Sequence, residues 1–272
     1  MQSGLSFRFS GLNLLIIVPV AAIYSFALIL ISLVVGLLIG AVGVGGVLLV
    51  PALTYLGQIS VHQAIPACML SFLFSGVIAT MVFAYHGSIH WKMVGWLTAG
   101  AIPAAFLGSV LLLSIPASFV LSLIAVLMIF SGIDAMWKSS RFYSKPEHRR
   151  APGRVALIVI GIVTGFGSSI TGTGGPLILV PVMVFLGFPV LAAIGLSQAI
   201  QIPIASFASI GNWMEGTLDV ELGLVITAAM VAGTLAGSVL IHRLPEKPVR
   251  RFVALLLVGV GVGIAINLLR SL

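Results

Sequence analysis

Three observations on the sequence predict an all-α polytopic membrane protein built from two inverted-topology repeats, each with a discontinuous or re-entrant helix pair at a glycine-rich break. First, 60% of the 272 residues are hydrophobic and only 7% are charged, with a mean hydropathy of +1.26. Second, the charges cluster and leave apolar runs of about 20 residues, the length that crosses a hydrocarbon core of about 30 Å. Third, a glycine cluster inside an apolar run occurs twice at an offset of 129 residues, as Gly43-Val44-Gly45-Gly46 and Gly172-Thr173-Gly174-Gly175. The formal charge of +7 does not indicate nucleic acid, because the basic residues sit in short loops between apolar runs, as the positive-inside bias requires.

Residues 1–25 form an N-terminal lead-in, either a short span or an amphipathic segment. Arg8 precedes an apolar run that continues without a polar break, which argues for an uncleaved start rather than a signal peptide. The first repeat, residues 26–137, contains the rest of the 11–42 run and the runs 47–57, 63–85, 93–113 and 117–137. Residues 138–154 are a solvated linker with Pro146, Pro152 and Gly153. Its six Lys and Arg residues, Lys138, Arg141, Lys145, Arg149, Arg150 and Arg154, place it in the cytoplasm. The second repeat, residues 155–272, contains runs 155–170, 176–187, 190–211, 222–241 and 252–269. The halves keep one register over a hundred residues: Gly36 meets Gly165, Gly87 meets Gly216, Gly108-Ser109-Val110-Leu111 meets Gly237-Ser238-Val239-Leu240, and Gly132 meets Gly261. Shared hydrophobicity alone would not hold that register, so the pattern is an internal duplication.

Charge sets the orientation. The loop from Asn212 to Glu221 has no Lys or Arg and fits the outside, whereas Arg243, Lys247, Arg250 and Arg251 fit the inside. The 176–187 segment would span about 18 Å as a helix, too short for a crossing. A re-entrant or discontinuous hairpin over 155–187 followed by three spans satisfies the charges. The first half agrees, with Lys92 inside and the Ser114–Ser118 turn outside, so the halves have opposite orientation.

The two breaks, each followed by an apolar-proline sequence ending at Pro51 or Pro181, resemble those of the TauE/SafE sulfite-exporter (TSUP) family of membrane transporters. The resemblance covers about residues 26–270 and includes the duplication, the length and the central basic linker. It implies a multi-pass protein of the bacterial inner membrane that transports, and as an exporter expels, sulfur-containing or carboxylate anions such as sulfite, sulfoacetate or other organosulfonates. Composition and spacing do not themselves name that substrate.

The substrate-binding candidates follow from the breaks. An interrupted helix frees N–H groups, and its dipole favours an anion at the next half-helix N-terminus. The second break, Gly172, Thr173, Gly174 and Gly175, adds the hydroxyls of Ser168, Ser169, Thr171 and Thr173, which donate hydrogen bonds without bringing charge into the membrane. The first break, Gly43, Gly45 and Gly46, offers backbone only, so an asymmetric site is expected nearer the second. Gln198 and Gln201, spaced i and i+3, share one helical face, and their repeat partners are the apolar Met69 and Phe72. They could hold a substrate oxygen or equally satisfy backbone groups freed at the break. Ser71, Ser75, Ser197 and Ser206 are weaker candidates that suit bonds to their own helices.

His62, His86, His90, His148 and His242 lie near helix ends without metal-ligand spacing. Cys68 is the only cysteine and fits as a small packed residue. No acidic or basic residue is mid-span, so a buried carboxylate relay has no candidate. No Lys-Ser/Thr follows the glycines as a P-loop needs, and no histidine accompanies Ser168 as a protease would need. The expectation is a carrier rather than an enzyme, with a small anion and the lipid bilayer as partners, no nucleic acid, no cofactor, no metal and no catalytic residue. The oligomeric state and coupling ion are open at this stage, and a passive channel with duplicated half-helices is the alternative.

Overall fold

The computed structural model describes residues 11–42, 45–137, 152–240 and 246–271. Gly43, residues 1–10 of the lead-in, residues 138–151 of the basic linker and the loop around Arg243 lie outside these residues. The helices are α1 (Gly11–Val42), α2 (Leu49–Tyr55), α3 (Val61–Tyr85), α4 (Trp91–Leu111), α5 (Ala117–Trp137), α6 (Arg154–Thr171), α7 (Pro176–Phe185), α8 (Val190–Met214), α9 (Val220–Leu240) and α10 (Glu246–Ser271). Short 3₁₀ turns at Gly45–Leu48 and Leu112–Ser114 precede α2 and follow α4. No strand occurs among the described residues. A helix satisfies its own backbone, which is what lipid demands of a spanning segment.

Five stretches among the described residues are long and apolar enough to cross a membrane: Val61–Tyr85, Trp91–Ser114, Arg154–Thr171, Leu191–Met214 and Val220–Leu240. Large apolar side chains such as Phe26, Val126, Phe130, Val159, Val163, Leu224 and Leu255 point outward. Spans of this composition, with apolar surfaces on the outside as well as within, make a multi-pass membrane protein. Helix α1 passes residue 25 without interruption, so the lead-in from residue 11 is continuous with the first run.

Glycine seams hold the helices together. A Cβ at Gly100, Gly161 or Gly165 would run into the carbonyl oxygen of Ile158, Leu97 or Ala101, so α4 and α6 touch backbone to backbone. Gly36, Gly233 and Gly237 make the same approach between α1 and α9, against the carbonyls of Met230, Leu33 and Leu37. With lipid on the outside, such small-residue contact is a main source of helix association.

The registers give directions. Gly100 lies against residues 158–162 and Gly108 against 166–169, so α4 and α6 run parallel. Gly36 lies against Met230 and Gly40 against Thr234 and Ser238, so α1 and α9 are also parallel. Gly195 meets Ser88 and Ile89 just before α4, and Gly211 meets Phe106 and Ser109 near its end, so α8 is parallel to α4. Helices α5 and α10 are antiparallel, because Gly132 meets Ala254 and Val258 while Gly261 meets Ala125, Met128 and Ile129. Two apolar clusters fill the interior. One centres on α1, α2, α3, α5, α9 and α10 around Leu49, Met69 and Met128 and reaches Ala205 and Ala208 of α8; the other centres on α4, α7 and α8 around Leu97, Leu179 and Ile200 and includes Phe83 of α3.

Candidate functional site

Both glycine clusters interrupt helices, in different ways. Gly172 ends α6 in the left-handed region at φ 66°, with its N–H on the Ser168 carbonyl, which also accepts the Thr173 N–H at 3.2 Å. This is a helix-ending glycine turn placed inside the bundle. Gly174 follows at φ 73°, and α7 then starts at Pro176. Proline at that position has no N–H, so the α7 N-terminus offers one donor fewer than the sequence alone suggested. In the first break Gly46 has no positive φ and lies in the 3₁₀ turn Gly45–Leu48.

The two breaks meet. A Cβ at Gly46 would lie 3.3 Å from the Thr173 carbonyl oxygen and 2.8 Å from the Phe72 ring, and a Cβ at Gly174 would lie 2.9 Å from the same ring. Phe72 of α3 thus wedges between them, and only glycine on each side leaves it room. A Cβ at Gly174 would also come 3.4 Å from Cδ of Gln201, which brings the second break against α8.

The amides bridge the halves. Gln201 donates from Nε2 to the Phe72 carbonyl at 2.9 Å and reaches Ser75 Oγ at 3.4 Å. It approaches α3 through the notch at Gly76, where a Cβ would lie 3.2 Å from Nε2. Gln198 donates from Nε2 to the Ile39 carbonyl at 3.1 Å. Ile39 lies near the end of α1, so this bond ties α8 to that part of α1. Its Oε1 is buried without a partner. Pro203, inside α8, cannot donate to the carbonyl four residues back, which loosens the helix between the two glutamines.

The hydroxyls divide between two faces of α6. Thr171 Oγ1 donates to the Gly167 carbonyl at 2.6 Å and lies 3.1 Å from Thr173 Oγ1. Ser168 is fully buried and its hydroxyl is unpartnered. Ser169 instead donates to the Phe166 carbonyl at 3.0 Å and abuts Gly108, on the α4 seam and away from the break. The weaker serines bond their own helices, Ser197 to Ile194, Ser206 to Ile202 and Ser71 to Ala67, although Ser71 also reaches Gly223 of α9.

Two residues here were not singled out by sequence. Phe72 stands between the breaks. Thr164, one turn before Ser168 on the same α6 face, is buried with its hydroxyl unpartnered and its methyl 3.8 Å from where a Gly175 Cβ would be. The spacing Thr164, Ser168, Thr171 at i, i+4 and i+7 was the available signal. Among the described residues no three His, Cys, Asp or Glu side chains converge. The donors at the break are neutral. Arg154, at the start of α6, lies 5.3 Å over the Trp96 ring of α4, a cation–π contact at the predicted cytoplasmic edge.

An unpartnered buried hydroxyl is a cost of about 1–3 kcal/mol. Ser168→Ala is therefore expected to leave the thermal midpoint unchanged or raise it by a few degrees, while the midpoint shift given by a bound anion shrinks. Thermal denaturation with and without ligand reads both.

Residues 28–264 match the family described as sulfite exporter TauE/SafE. The chain is 28% identical over 258 residues to the "Probable membrane transporter protein YjnA" of Bacillus subtilis, covering 88% of this chain and 98% of that protein. It is 24% identical over 224 residues to the "Probable membrane transporter protein YdhB" of the same organism, covering 80% and 91%. A "Probable membrane transporter protein" of Xylella fastidiosa is 26% identical over 209 residues, 75% of this chain and 78% of that protein. No solved structure matches the chain.

Proposed function

The chain belongs to the sulfite exporter TauE/SafE family, and from that premise we propose that it exports a small sulfur-containing oxyanion, of the sulfite or sulfonate class, across the bacterial cytoplasmic membrane by alternating access. The observation that carries the reading is the meeting of the two breaks at Gly46 and Thr173, with buried, unpartnered oxygens on Ser168, Thr164 and Gln198 in the helices beside them. Unpartnered buried polar atoms call for an explanation, and a visiting ligand is one that suits a membrane protein. The substrate's oxygens would accept from Ser168 and Thr164, whose hydroxyls are unpartnered, and from N–H groups of the break, while Thr171, whose proton goes to the Gly167 carbonyl, positions Thr173. Hydroxyls and amides bind an anion without a buried cation, so the empty site carries no uncompensated charge in lipid. The second break carries these groups, and the first contributes Gly46 and backbone.

The packing directions support an inverted plan with repeats 26–137 and 155–272. Helices α6 and α8 both run parallel to α4, which supports a return of the chain between them and hence a re-entrant α6–α7 pair. The antiparallel pair α5 and α10 are repeat equivalents, and equivalents that run in opposite directions are what inversion means. Exchanging the halves turns the α4–α6 contact into α9–α1, the two parallel glycine seams. Gln201 and Phe72, separated by 129 residues, sit where the two halves face each other.

Flux into proteoliposomes tests the function. Saturable sulfite flux with counterflow is the expected result, and non-saturating flux in single-channel steps would establish a channel instead. Thr164→Val and Ser168→Ala are each expected to weaken anion affinity about 10- to 100-fold, since a hydrogen bond to a charged group contributes roughly 1.5–3 kcal/mol. Unchanged affinity in both variants, at normal expression, would remove these residues from the site. Single cysteines at Gly216 and Ser140 in a Cys68→Ser background are expected to label from opposite sides of the membrane, and labelling from one side would refute the inverted plan.

A further inference from the structure

The α3 and α8 faces that meet at the breaks differ in a systematic way. On α3 the face carries Met69, Phe72, Gly76, Ala79 and Phe83; at the repeat offset α8 carries Gln198, Gln201, Ala205, Ala208 and Asn212. Small residues match small residues, and each large apolar side chain is matched by an amide. The spacing of 3 and 4 keeps all five α8 residues on one face, and each is buried.

Asn212 is the unexplained member. Its residue is fully buried, yet neither Oδ1 nor Nδ2 has a partner. Its main-chain carbonyl accepts the N–H and the hydroxyl of Thr217 at 3.0 Å each, which ties down the end of α8 and leaves the amide unused. An amide buried without hydrogen bonds costs several kcal/mol and persists where something occupies it for part of the time. Eleven residues separate Asn212 from Gln201, a rise of about 16 Å along α8 towards its outer end.

We propose that Asn212 is an outer binding station for the transported oxyanion, and that the face of α8 from Gln198 through Ala205 and Ala208 to Asn212 lines the route from the breaks to the outside. The proposal rests on the inverted carrier reading, which puts the C-terminal end of α8 outside. Asn212 Nδ2 donates to an anion oxygen, and Oδ1 holds a water that travels with it. Ala205 and Ala208 belong to the apolar cluster with Ile65, Phe72 and Met230, so the route is shut between the stations in this conformation. It opens when α8 parts from α3. At the equivalent place in the first half, Phe83 packs with Met93 and Leu97, so the inner route has an apolar plug where the outer one has an amide.

Single cysteines at Asn212, Ala208 and the lipid-facing Ile210 are placed in the full chain with Cys68→Ser and reconstituted. The probe is methanethiosulfonate ethylsulfonate, an impermeant sulfonate, with its trimethylammonium counterpart as control. The proposal expects Asn212→Cys and Ala208→Cys to react at least tenfold faster than Ile210→Cys. It also expects the sulfonate to be favoured over the cation at Asn212→Cys, after correction for their rates with free thiol. If both cysteines react only after denaturation, or the cation is favoured, the outer station is wrong. Asn212→Leu supplies the second measurement: sulfite flux falls at least tenfold with an unchanged or higher thermal midpoint. Retained flux with a higher midpoint would mean that the amide is only a packing defect, and would overturn the proposal. Absence of sulfite flux in the unmodified chain would instead overturn the transport reading, and the labelling rates would still decide the route.

Discussion

Gly174→Val is expected to abolish anion flux in a chain that still inserts in the membrane. Two costs add at this position. A residue with a Cβ held at φ 73° is strained by about 1–2 kcal/mol, and a β-branched one by more. The new Cβ would also lie 2.9 Å from the Phe72 ring and 3.4 Å from Gln201 Cδ, in a place with no free space. Phe72 cannot retreat, because Gly46 of the other break is against its far side. Gln201 is therefore pushed from the Phe72 carbonyl, and the contact that joins α8 to α3 at the breaks is lost. Together the effects come to roughly 3–5 kcal/mol, read as a fall in thermal midpoint along with the loss of flux. Gly216→Val is the matched control. Gly216 has nearly the same φ, 69°, but nothing within 4 Å of its Cβ position. It should show the backbone strain alone and keep its flux, and equal damage at both positions would refute the packing argument.

Gly165→Leu is expected to prevent assembly altogether. Gly165 sits in the middle of the α4–α6 seam with Ala101 backbone against it, and a flexible neighbour that could move aside is absent because the obstruction is main chain. Overpacking a core by methylenes costs about 1–3 kcal/mol when side chains can adjust. Here two helices must separate, which exposes the Gly100 and Gly161 contacts as well. The outcome to measure is monodisperse protein after detergent extraction, expected to fall at least tenfold. Gly263→Leu, with nothing within 4 Å, should extract normally. Normal extraction of Gly165→Leu would show that the seam contributes little to assembly.

Much of this architecture is legible in the sequence because lipid leaves few options. Apolar runs become helices, and the second glycine cluster becomes the turn between α6 and α7. Gln198 and Gln201 stand out as amides in an apolar run, and their spacing puts them on one face. In the structure Gln198 donates to the Ile39 carbonyl, and its Oε1 is left over. Ser168 and Ser169 were less separable. Adjacent helical residues point about 100° apart, so only one can face the break. Gly161-Gly165-Ser169 is a small residue every fourth position, the pattern of a packing seam, and Thr164-Ser168-Thr171 is the stripe beside it. Asn212 was hidden for another reason. Glu215, Asp219 and Glu221 close by made its surroundings look like a loop, whereas α8 runs to Met214. Phe72 could not have been found, because an aromatic residue between two glycine clusters is a fact of tertiary packing only.

The pairing of α1 with α9 has a consequence for how the protein is made. The glycine face of α1 is made before the surface it needs, around Met230, which is synthesised about 190 residues later. At roughly 5–20 residues per second that is an interval of about 10–40 s. Throughout it, α1 offers an unsheathed small-residue groove to any other newly inserted helix. A ribosome that stops in the central linker releases a half-molecule with that groove permanently open. Arrival of α9 is therefore the step that covers the glycine face of α1.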